Sequence, residues 1–509
     1  MIPVVILGSY LLVLIGLGLV SARYFRGSSA DYFVASRSLG PFVLFMTVFG
    51  TAMTAFAMVG STAETFEHGV GTYGKLASWS ALVHPACFFL IGLPLWALGK
   101  RHGYVTQIEY FRDRFESPGL GYVLFPVLAG LLLPYLVIGL LGVGSVVGGV
   151  TVGAFPEAFA ATRGAVPPWL TMAILSGVVL FYVFIGGARS AALVNVFQTV
   201  VFVGMGLLAF WLIADSLGGP AAASAAAKPA KAIREGNIGE LEFFTYWMIP
   251  LSVGVFPHIF QNFLTARSAR SYKLLLVMHP VAMLLAWLPC ILIGFWATGA
   301  TLPGTGTPVV PPGGSANAVL GLMVAKLTSP VVSGLVAAGV LAAISLDAQF
   351  IAMGTMFTRD IVVHRFGAAR FTDRDLVRIA RGFIVAMVAL TYALTFLETR
   401  QIFALGTWCF SGFAGLVPLL LAALYWRRVT RAAACAAVVV TASVWFALFA
   451  ASDFGADRKF LVGGMLPVAT VFASCTVTVV LVSLLTSPPS AATLAKFFPS
   501  NPTTPCPAN

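Results

Sequence analysis

Apolar residues run in long stretches along the whole chain, and polar residues collect in the short segments between them. A run of about 20 apolar residues is what an α-helix needs to cross the hydrocarbon core of a bilayer. The runs predict an all-α membrane protein with 13 spanning helices, at residues 2–22, 39–65, 74–98, 118–152, 166–187, 189–215, 243–264, 272–300, 330–357, 377–397, 401–426, 431–452 and 461–486. A short amphipathic helix outside the membrane is predicted at 317–329.

Composition agrees with this interpretation. The 509 residues are 59% hydrophobic and 9% charged, whereas soluble domains carry about 25% charged residues. The net charge of +12 comes from basic residues that are scattered singly, so it does not indicate a nucleic-acid partner. The first run has no basic residues before it and is about as long as a full span, which favours a retained helix over a cleaved signal peptide.

Lys and Arg are distributed unevenly between alternate loops. With the N-terminus outside, the inner loops hold the basic clusters at 23–37, 100–114, 267–273, 359–374 and 427–431, and the outer loops hold far fewer basic residues. Cytoplasmic loops are enriched in Lys and Arg. We therefore expect a multi-pass protein of the plasma (inner) membrane with its N-terminus outside and its C-terminus in the cytoplasm.

Two spans carry residues that interrupt a helix near its middle. The second span reads TVFGTAMTAFAMVG at 47–60, and the seventh reads WMIPLSVGVFPHIFQNF at 247–263. Proline removes a backbone donor and glycine tolerates unwound backbone. Such backbone persists at membrane depth only where it lines a cavity or is buried in protein. The interruptions are therefore either packing kinks or the broken helices of a transport site.

The spacing of the two breaks favours the transport site, because each break opens a block of five helices. An odd number of helices inverts the second block relative to the first, and inverted repeats with broken helices are typical of secondary transporters. The predicted segments are an extra N-terminal helix with its inner loop (1–38), a first repeat (39–215), an external loop (216–242), a second repeat (243–426), two C-terminal helices (427–486) and a disordered cytoplasmic tail (487–509) rich in Pro, Ser and Thr.

Five stretches resemble motifs of the sodium:solute symporter family, in the expected order. They are DYFVASRSLGPF (31–42), FIGGARSAALVNVFQ (184–198), FPHIFQNFLTARSAR (256–270), LAAISLDAQFIAMGTMFTRDI (341–361) and LYWRRVTRAAACAA (424–437). The resemblance implies the leucine-transporter-type fold, with ten core helices in two inverted repeats. It also implies sodium-coupled uptake of a small organic solute by alternating access, with no catalytic residues and no obligatory protein partner.

In this family a sodium ion lies between the first broken helix and the eighth core helix, held by backbone carbonyls and two adjacent hydroxyls. The matching positions here are the backbone at Gly50, Met53 and Leu341 and the side chains of Ile344 and Ser345. Only Ser345 of that pair has a hydroxyl. A second departure is Asn195, where the family usually has an aspartate.

Asp347 is the only charged residue between Val331 and Phe357. It lies about 16 Å from the predicted cytoplasmic end of its helix, too far for a short side chain to reach the interface. A bound cation, a proton or hydrogen bonding as a neutral acid would each account for it. On the helical wheel Asp347 lies about 160° from Ser345. We therefore predict a separate cation place at Asp347 and Asn195, where Asp347 supplies the charge that Asn195 lacks.

Other polar and aromatic residues near the breaks are candidates for the solute pocket or its gates. They are Thr51, Thr54, Phe56, Trp79, Gly254, Phe256, His258, Gln261, Trp408 and Phe410. Aromatic residues also pack in such helices without function.

Three other functions fit parts of the sequence. The changes at Ile344 and Asn195 also fit a proton-coupled or uncoupled carrier. An intramembrane enzyme would have to use His84, His258 and Asp347, but the sequence has no tight catalytic motif. A sensor on this scaffold would need a signalling domain, for which the tail has no room.

Overall fold

The computed structural model describes residues 1–23, 28–343, 346–397 and 401–498, and this part of the chain is helical with no β-strand. Within these described ranges, eleven helices are long and apolar enough to span a membrane, and two bent helix pairs complete the 13 predicted spans. In order they are Ile2–Val20, Pro41–Ala52 with Phe56–His68, Gly71–His102, Leu120–Val150, Pro168–Ala188, Ser190–Ser216, Glu240–Gly254 with Pro257–Thr265, Ser271–Trp296, Pro330–Ala343 with Asp347–Met356, Asp373–Thr395, Ile402–Tyr425, Arg431–Ala451 and Pro467–Leu485.

The hydrophobic pattern located these spans to within a few residues. The predicted and observed bounds differ most at the ninth span, where helical structure continues beyond residue 357 as far as Phe366. The predicted amphipathic helix at 317–329 is the apolar helix Ala316–Leu327. Hydropathy marks the part of a helix that lies in hydrocarbon, whereas the helix itself extends into the polar region beyond it.

The breaks of the second and seventh spans lie where the sequence predicts them. The halves of the second span meet at 54°, because Met53 is extended, with φ −91° and ψ 116°. The halves of the seventh meet at 53°, and Pro257 occupies the start of its second half, where no backbone donor is needed. In the first half of the seventh span, Tyr246–Gly254 is a 3₁₀-helix that contains Pro250.

The two broken spans are joined directly by backbone. The Leu39 amide donates to the Thr265 carbonyl at 3.0 Å, and the Arg267 amide donates to the Leu39 carbonyl at 2.9 Å. The start of the second span is thereby tied to the end of the seventh. Gly187, in the turn between the fifth and sixth spans, has φ +56°, and a Cβ there would overlap Tyr32. This turn therefore requires glycine.

We call the side of the molecule that carries Arg112, Arg114, Arg359 and Arg428 the basic side. There Arg112 pairs with Asp360 at 3.1 Å, and Arg359 pairs with Glu109 at 2.9 Å. These ion pairs connect the short helix Gln107–Arg114 to the end of the ninth span. We call the side of the molecule that faces away from the basic side the opposite side.

The prediction of a disordered tail from residue 487 is wrong for its first part. A helix forms at Ala491–Phe497 and packs on the basic side, with Lys496 Nζ 2.5 Å from Asp113 Oδ2. The hydroxyls of Ser490 and Thr493 donate to Glu116 and hold the pKa of its carboxyl below the usual range. The Phe497 ring packs edge-on against Tyr110, with centroids 6.1 Å apart. The packing of Phe497 holds this helix against the protein although the segment is rich in polar residues.

Candidate functional site

The break of the second span exposes backbone that neighbouring spans then satisfy. Tyr135 donates its hydroxyl to the Thr51 carbonyl at 3.1 Å, and Asn262 of the seventh span donates to Thr51 Oγ1 at 3.2 Å. Thr54 caps the second half by accepting from the Phe56 amide at 3.2 Å. Thr51 and Thr54 therefore shape the break and connect it to the fourth and seventh spans.

Gly50 lies against the sixth span at Thr199. The Thr199 hydroxyl donates to the Asn195 carbonyl at 2.6 Å and lies 3.2 Å from the Met46 carbonyl. A Cβ at Gly50 would overlap Thr199 Oγ1, whereas Thr199 Cβ would be 3.5 Å away, which is ordinary contact. The close approach of the two spans therefore depends on the absence of a side chain at Gly50.

We expect Gly50→Ala to destabilise the protein by about 1–3 kcal/mol, the usual cost of overpacking a core. Sodium-dependent uptake should fall with it, because the break would be displaced. Thr199→Ala removes the Oγ1 atom that would clash with the new Cβ at residue 50. The double variant Gly50→Ala with Thr199→Ala is therefore expected to recover most of the stability. Thermal unfolding of the purified variants measures this, with Thr199→Ala alone as control. A double variant as unstable as Gly50→Ala would contradict the assignment.

The predicted sodium positions fall partly outside the described residues. Gly50 and Met53 are buried at the break, and Leu341 is buried in the last turn of Pro330–Ala343. Ile344 and Ser345 lie outside the described part of the chain. The sodium site at Gly50, Met53, Leu341 and Ser345 therefore stays a prediction.

Asp347 is buried at the start of the helix Asp347–Met356, and the Asn195 side chain faces its carboxylate. The two do not form a hydrogen bond of normal geometry, and among the described residues neither Asp347 oxygen has a hydrogen-bond partner. Tyr10 and Tyr182 lie within electrostatic reach of Asp347 and next to Gln198. We call these five residues, from the first, fifth, sixth and ninth spans, the Asp347 cluster. Sequence reasoning found Asp347 and Asn195 but not the two tyrosines.

A small central cavity of about 40 Å³ lies between the two breaks. Six aromatic residues are among those that line it, including the predicted residues Phe56, Phe256 and Phe410. The Phe56 and Phe410 ring centroids are 5.0 Å apart, and those of Phe256 and Phe410 are 5.5 Å apart. A cavity of this size has room for only a few water molecules. An organic solute can enter it only if these rings separate.

Four of the six polar residues in the cavity wall come from spans that carry no break, and the other two come from the broken seventh span. Trp287 of the eighth span lines the cavity, and its Nε1 donor is buried without an acceptor among the described residues. His84 of the third span also lines it, and His84 Nδ1 lies 3.0 Å from His279 Nε2. The remaining polar lining residues are Ser80, Ser252, Tyr135 and Tyr246. Sequence reasoning did not select Trp287, Tyr135 or His279.

Five further candidates lie beside the cavity or away from it. His258 stacks on Tyr135 and Phe256, with centroids 5.5 and 5.2 Å apart. A Cβ at Gly254 would press on Ile91 of the third span. The other three are more distant: Gln261 donates to the Phe33 carbonyl and to Thr355, Trp79 donates to the Phe243 carbonyl, and Trp408 packs against Trp445 and Phe449.

A larger cavity of about 320 Å³ opens on the opposite side, and we call it the vestibule. It is lined by Glu64, Lys75, Glu242 and Trp408, and Tyr246 lines both the vestibule and the central cavity. Lys75 is only 3% exposed and lies 2.8 Å from Glu64 and 2.9 Å from Glu242. This buried cluster holds the second, third and seventh spans together above the central cavity.

His84, His258 and Asp347, which an intramembrane enzyme would have to use, do not form a catalytic group in the described part of the chain. His84 Nδ1 forms a hydrogen bond with His279 Nε2. Neither His258 nor Asp347 has a hydrogen-bond partner there.

Comparisons with known proteins agree with this geometry. A sequence model of the sodium:solute symporter family matches residues 32–441. The sodium/proline symporters of Staphylococcus aureus strains JH9 and JH1 are 23% identical over 470 residues, covering 87% of this chain and 85% of theirs.

Two solved structures share the fold. A Na⁺-coupled sialic acid symporter in a substrate-bound, outward-open state superposes with a TM-score of 0.74 at 16% identity, covering 96% of this chain and 98% of that one. The nucleobase-cation-symport-1 family transporter Mhp1, in a closed conformation, superposes with a TM-score of 0.53 at 15% identity, covering 92% of this chain and 98% of that one.

The two broken spans and the cavity between them define a secondary transporter of the leucine-transporter-type fold. The chain belongs to the sodium:solute symporter family, since the family model covers most of its length. It is a multi-pass membrane protein that couples a small-molecule solute to sodium, which confirms the family and the coupling ion that the motifs predicted.

Proposed function

We propose that the solute is a small organic molecule of about the size of proline, bound in the central cavity between the two breaks. The observation that carries this proposal is the small aromatic cavity itself, whose walls come from both broken spans. The name of the Staphylococcus aureus relatives supports the choice of proline as a first ligand. Opening requires Phe56 and Phe410 to separate, which makes these rings the inner part of the gate.

We propose two cation places. One is the family's sodium site, at the backbone of Gly50, Met53 and Leu341 with the Ser345 hydroxyl. Hard cations take oxygen ligands, which unwound backbone provides without added charge. The other is the Asp347 cluster, where a buried carboxylate that has no ion-pair partner among the described residues faces the Asn195 amide. A proton at Asp347 is the alternative occupant.

We further propose that residues 39–215 and 243–426 form the two inverted repeats, and that the basic side faces the cytoplasm. The distribution of Lys and Arg supports this orientation. It places the vestibule outside, at the entry to the central cavity, and the ion pairs of Arg112 and Arg359 at the inner exit.

Ligand-induced stabilisation tests the solute. Thermal unfolding of the purified protein with L-proline, other small amino acids, a sugar and a nucleobase, each with and without sodium, should show one ligand class whose stabilisation increases with sodium. At a ligand concentration of 100 times Kd the expected stabilisation is about 2.7 kcal/mol. Stabilisation that is independent of sodium but dependent on pH would favour the proton. A response to the sugar or the nucleobase alone would overturn the proline class.

A further inference from the structure

His84 in the polar wall of the central cavity is paired with His279, and the surroundings of the two rings determine where their protons lie. His84 and His279 lie on the third and eighth spans, both are buried, and the only ring nitrogens in contact are His84 Nδ1 and His279 Nε2, 3.0 Å apart. One of these two nitrogens carries the shared proton. The choice between them decides what His84 presents to the cavity.

The other nitrogen of His279 settles this choice. His279 Nδ1 is buried and has no hydrogen-bond partner among the described residues. If His84 donated, a neutral His279 would have to carry its own proton on Nδ1, as a buried N–H without an acceptor. Orphaned buried N–H groups are rarer than under-satisfied acceptors. His279 Nε2 is therefore the donor, His84 Nδ1 accepts, and a neutral His84 carries its own proton on Nε2.

The consequence is a second N–H donor in the cavity wall. His84 lines the cavity, and with Nδ1 engaged its Nε2–H is the group left to bind a ligand. Trp287 lines the same cavity and has an Nε1–H without an acceptor in the described structure. The lining residues include no Asp, Glu, Lys or Arg. A wall with two N–H donors and no charged side chain suits a ligand that carries acceptor oxygens.

We propose that His84 Nε2 and Trp287 Nε1 bind a carboxylate of the solute, and that His279 is a positioning residue that holds His84 in the donor tautomer. This assignment rests on the proposed function and names the chemical group that the cavity recognises. Hydrogen bonds to a charged acceptor are stronger than those between neutral groups. The coupled cation balances the charge of the carboxylate, because no cationic side chain lines the cavity.

Solute affinity tests the binding role. His279→Leu should raise the KM for L-proline roughly 10-fold or more, as loss of a hydrogen bond to a charged group does, and leave the sodium concentration for half-maximal uptake unchanged. His279→Gln is the matched control, because its amide nitrogen can donate where Nε2 did, and it should restore the KM. A purely structural role would lower stability and maximal uptake equally in both variants, and that result would overturn the proposal.

Two further measurements separate this proposal from the proposed function. L-Prolinamide, which lacks the carboxylate, should stabilise the protein far less than L-proline; equal stabilisation would overturn the carboxylate assignment. Nitrogen-15 NMR of histidine-labelled protein in liposomes, without any solute, should show His84 protonated on Nε2 and bare on Nδ1. A proton on His84 Nδ1 would overturn the assigned tautomer. This NMR result does not depend on whether proline is the solute.

Discussion

Replacing Asp347 by asparagine is expected to reduce the effect of sodium on solute affinity roughly 10- to 100-fold, the usual range of coupling between two linked sites. The reason is that Asp347 is the one carboxylate of its cluster, and no ion pair in the described structure neutralises it. Without that charge, only side-chain amide and hydroxyl oxygens are left to hold the cation. Uptake of radiolabelled solute into proteoliposomes, over a series of sodium gradients, measures the change.

The sequence itself offers the matched control. Asn195 faces Asp347 from the sixth span, at the position where the family usually has the acid. The single variant Asn195→Asp adds a second charge, whereas the pair Asn195→Asp with Asp347→Asn moves one charge across the gap. We expect this exchanged pair to regain much of the sodium dependence. Unchanged sodium dependence in Asp347→Asn would contradict the assignment, and loss of a pH dependence of uptake in that variant, with sodium dependence retained, would identify a proton.

The parts of the site that could be predicted are those where a residue type changes the backbone. Pro257 and Gly50 mark breaks because one lacks a donor and the other lacks a side chain. Once the breaks are located, neighbouring aromatic residues such as Phe56 and Phe256 become candidates for the cavity wall. Asp347 could be found because a charge at membrane depth is expensive wherever it occurs.

Three of the residues that were missed lie on unbroken spans. Trp287, Tyr135 and His279 lie in helices that are apolar on every side, since one face meets lipid and the other meets protein. Hydrophobic periodicity identifies the buried face of a helix only when the other face is polar. Nothing in the sequence near Trp287 therefore distinguishes a cavity-facing residue from a lipid-facing one. The tertiary packing alone makes that distinction.

Ion pairs between residues far apart in the chain could not be predicted from the sequence either. Lys75 stands near the start of the third span, where a lysine usually extends its amine towards water. Its partners Glu64 and Glu242 are 11 and 167 residues away in the chain, so no helical spacing relates them. Glu64 lies at the end of the predicted second span (39–65), and nothing in the sequence indicates that its carboxylate is buried.

The largest loss of stability is expected from Lys75→Met. Lys75 is only 3% exposed and bridges Glu64 at 2.8 Å and Glu242 at 2.9 Å, with the Phe403 ring centroid 5.4 Å from its amine. Methionine has a similar length but no charge, so both carboxylates would lose their buried partner. Removing one partner of a buried ion pair costs about 3–5 kcal/mol. Thermal unfolding in detergent should show a large decrease in stability.

Two variants make this prediction specific to the buried cluster. Arg458→Met removes a cation that pairs with Glu67 at 3.0 Å but is 49% exposed on its side chain, and exposed pairs contribute only about 0–1 kcal/mol. Neutralising the acids together with the lysine, as Lys75→Met with Glu64→Gln and Glu242→Gln, should restore much of the loss, because no unpaired charge is then left. Equal stability of Lys75→Met and Arg458→Met would mean that water reaches Lys75 through the vestibule. The second, third and seventh spans would then be held together by their apolar contacts alone.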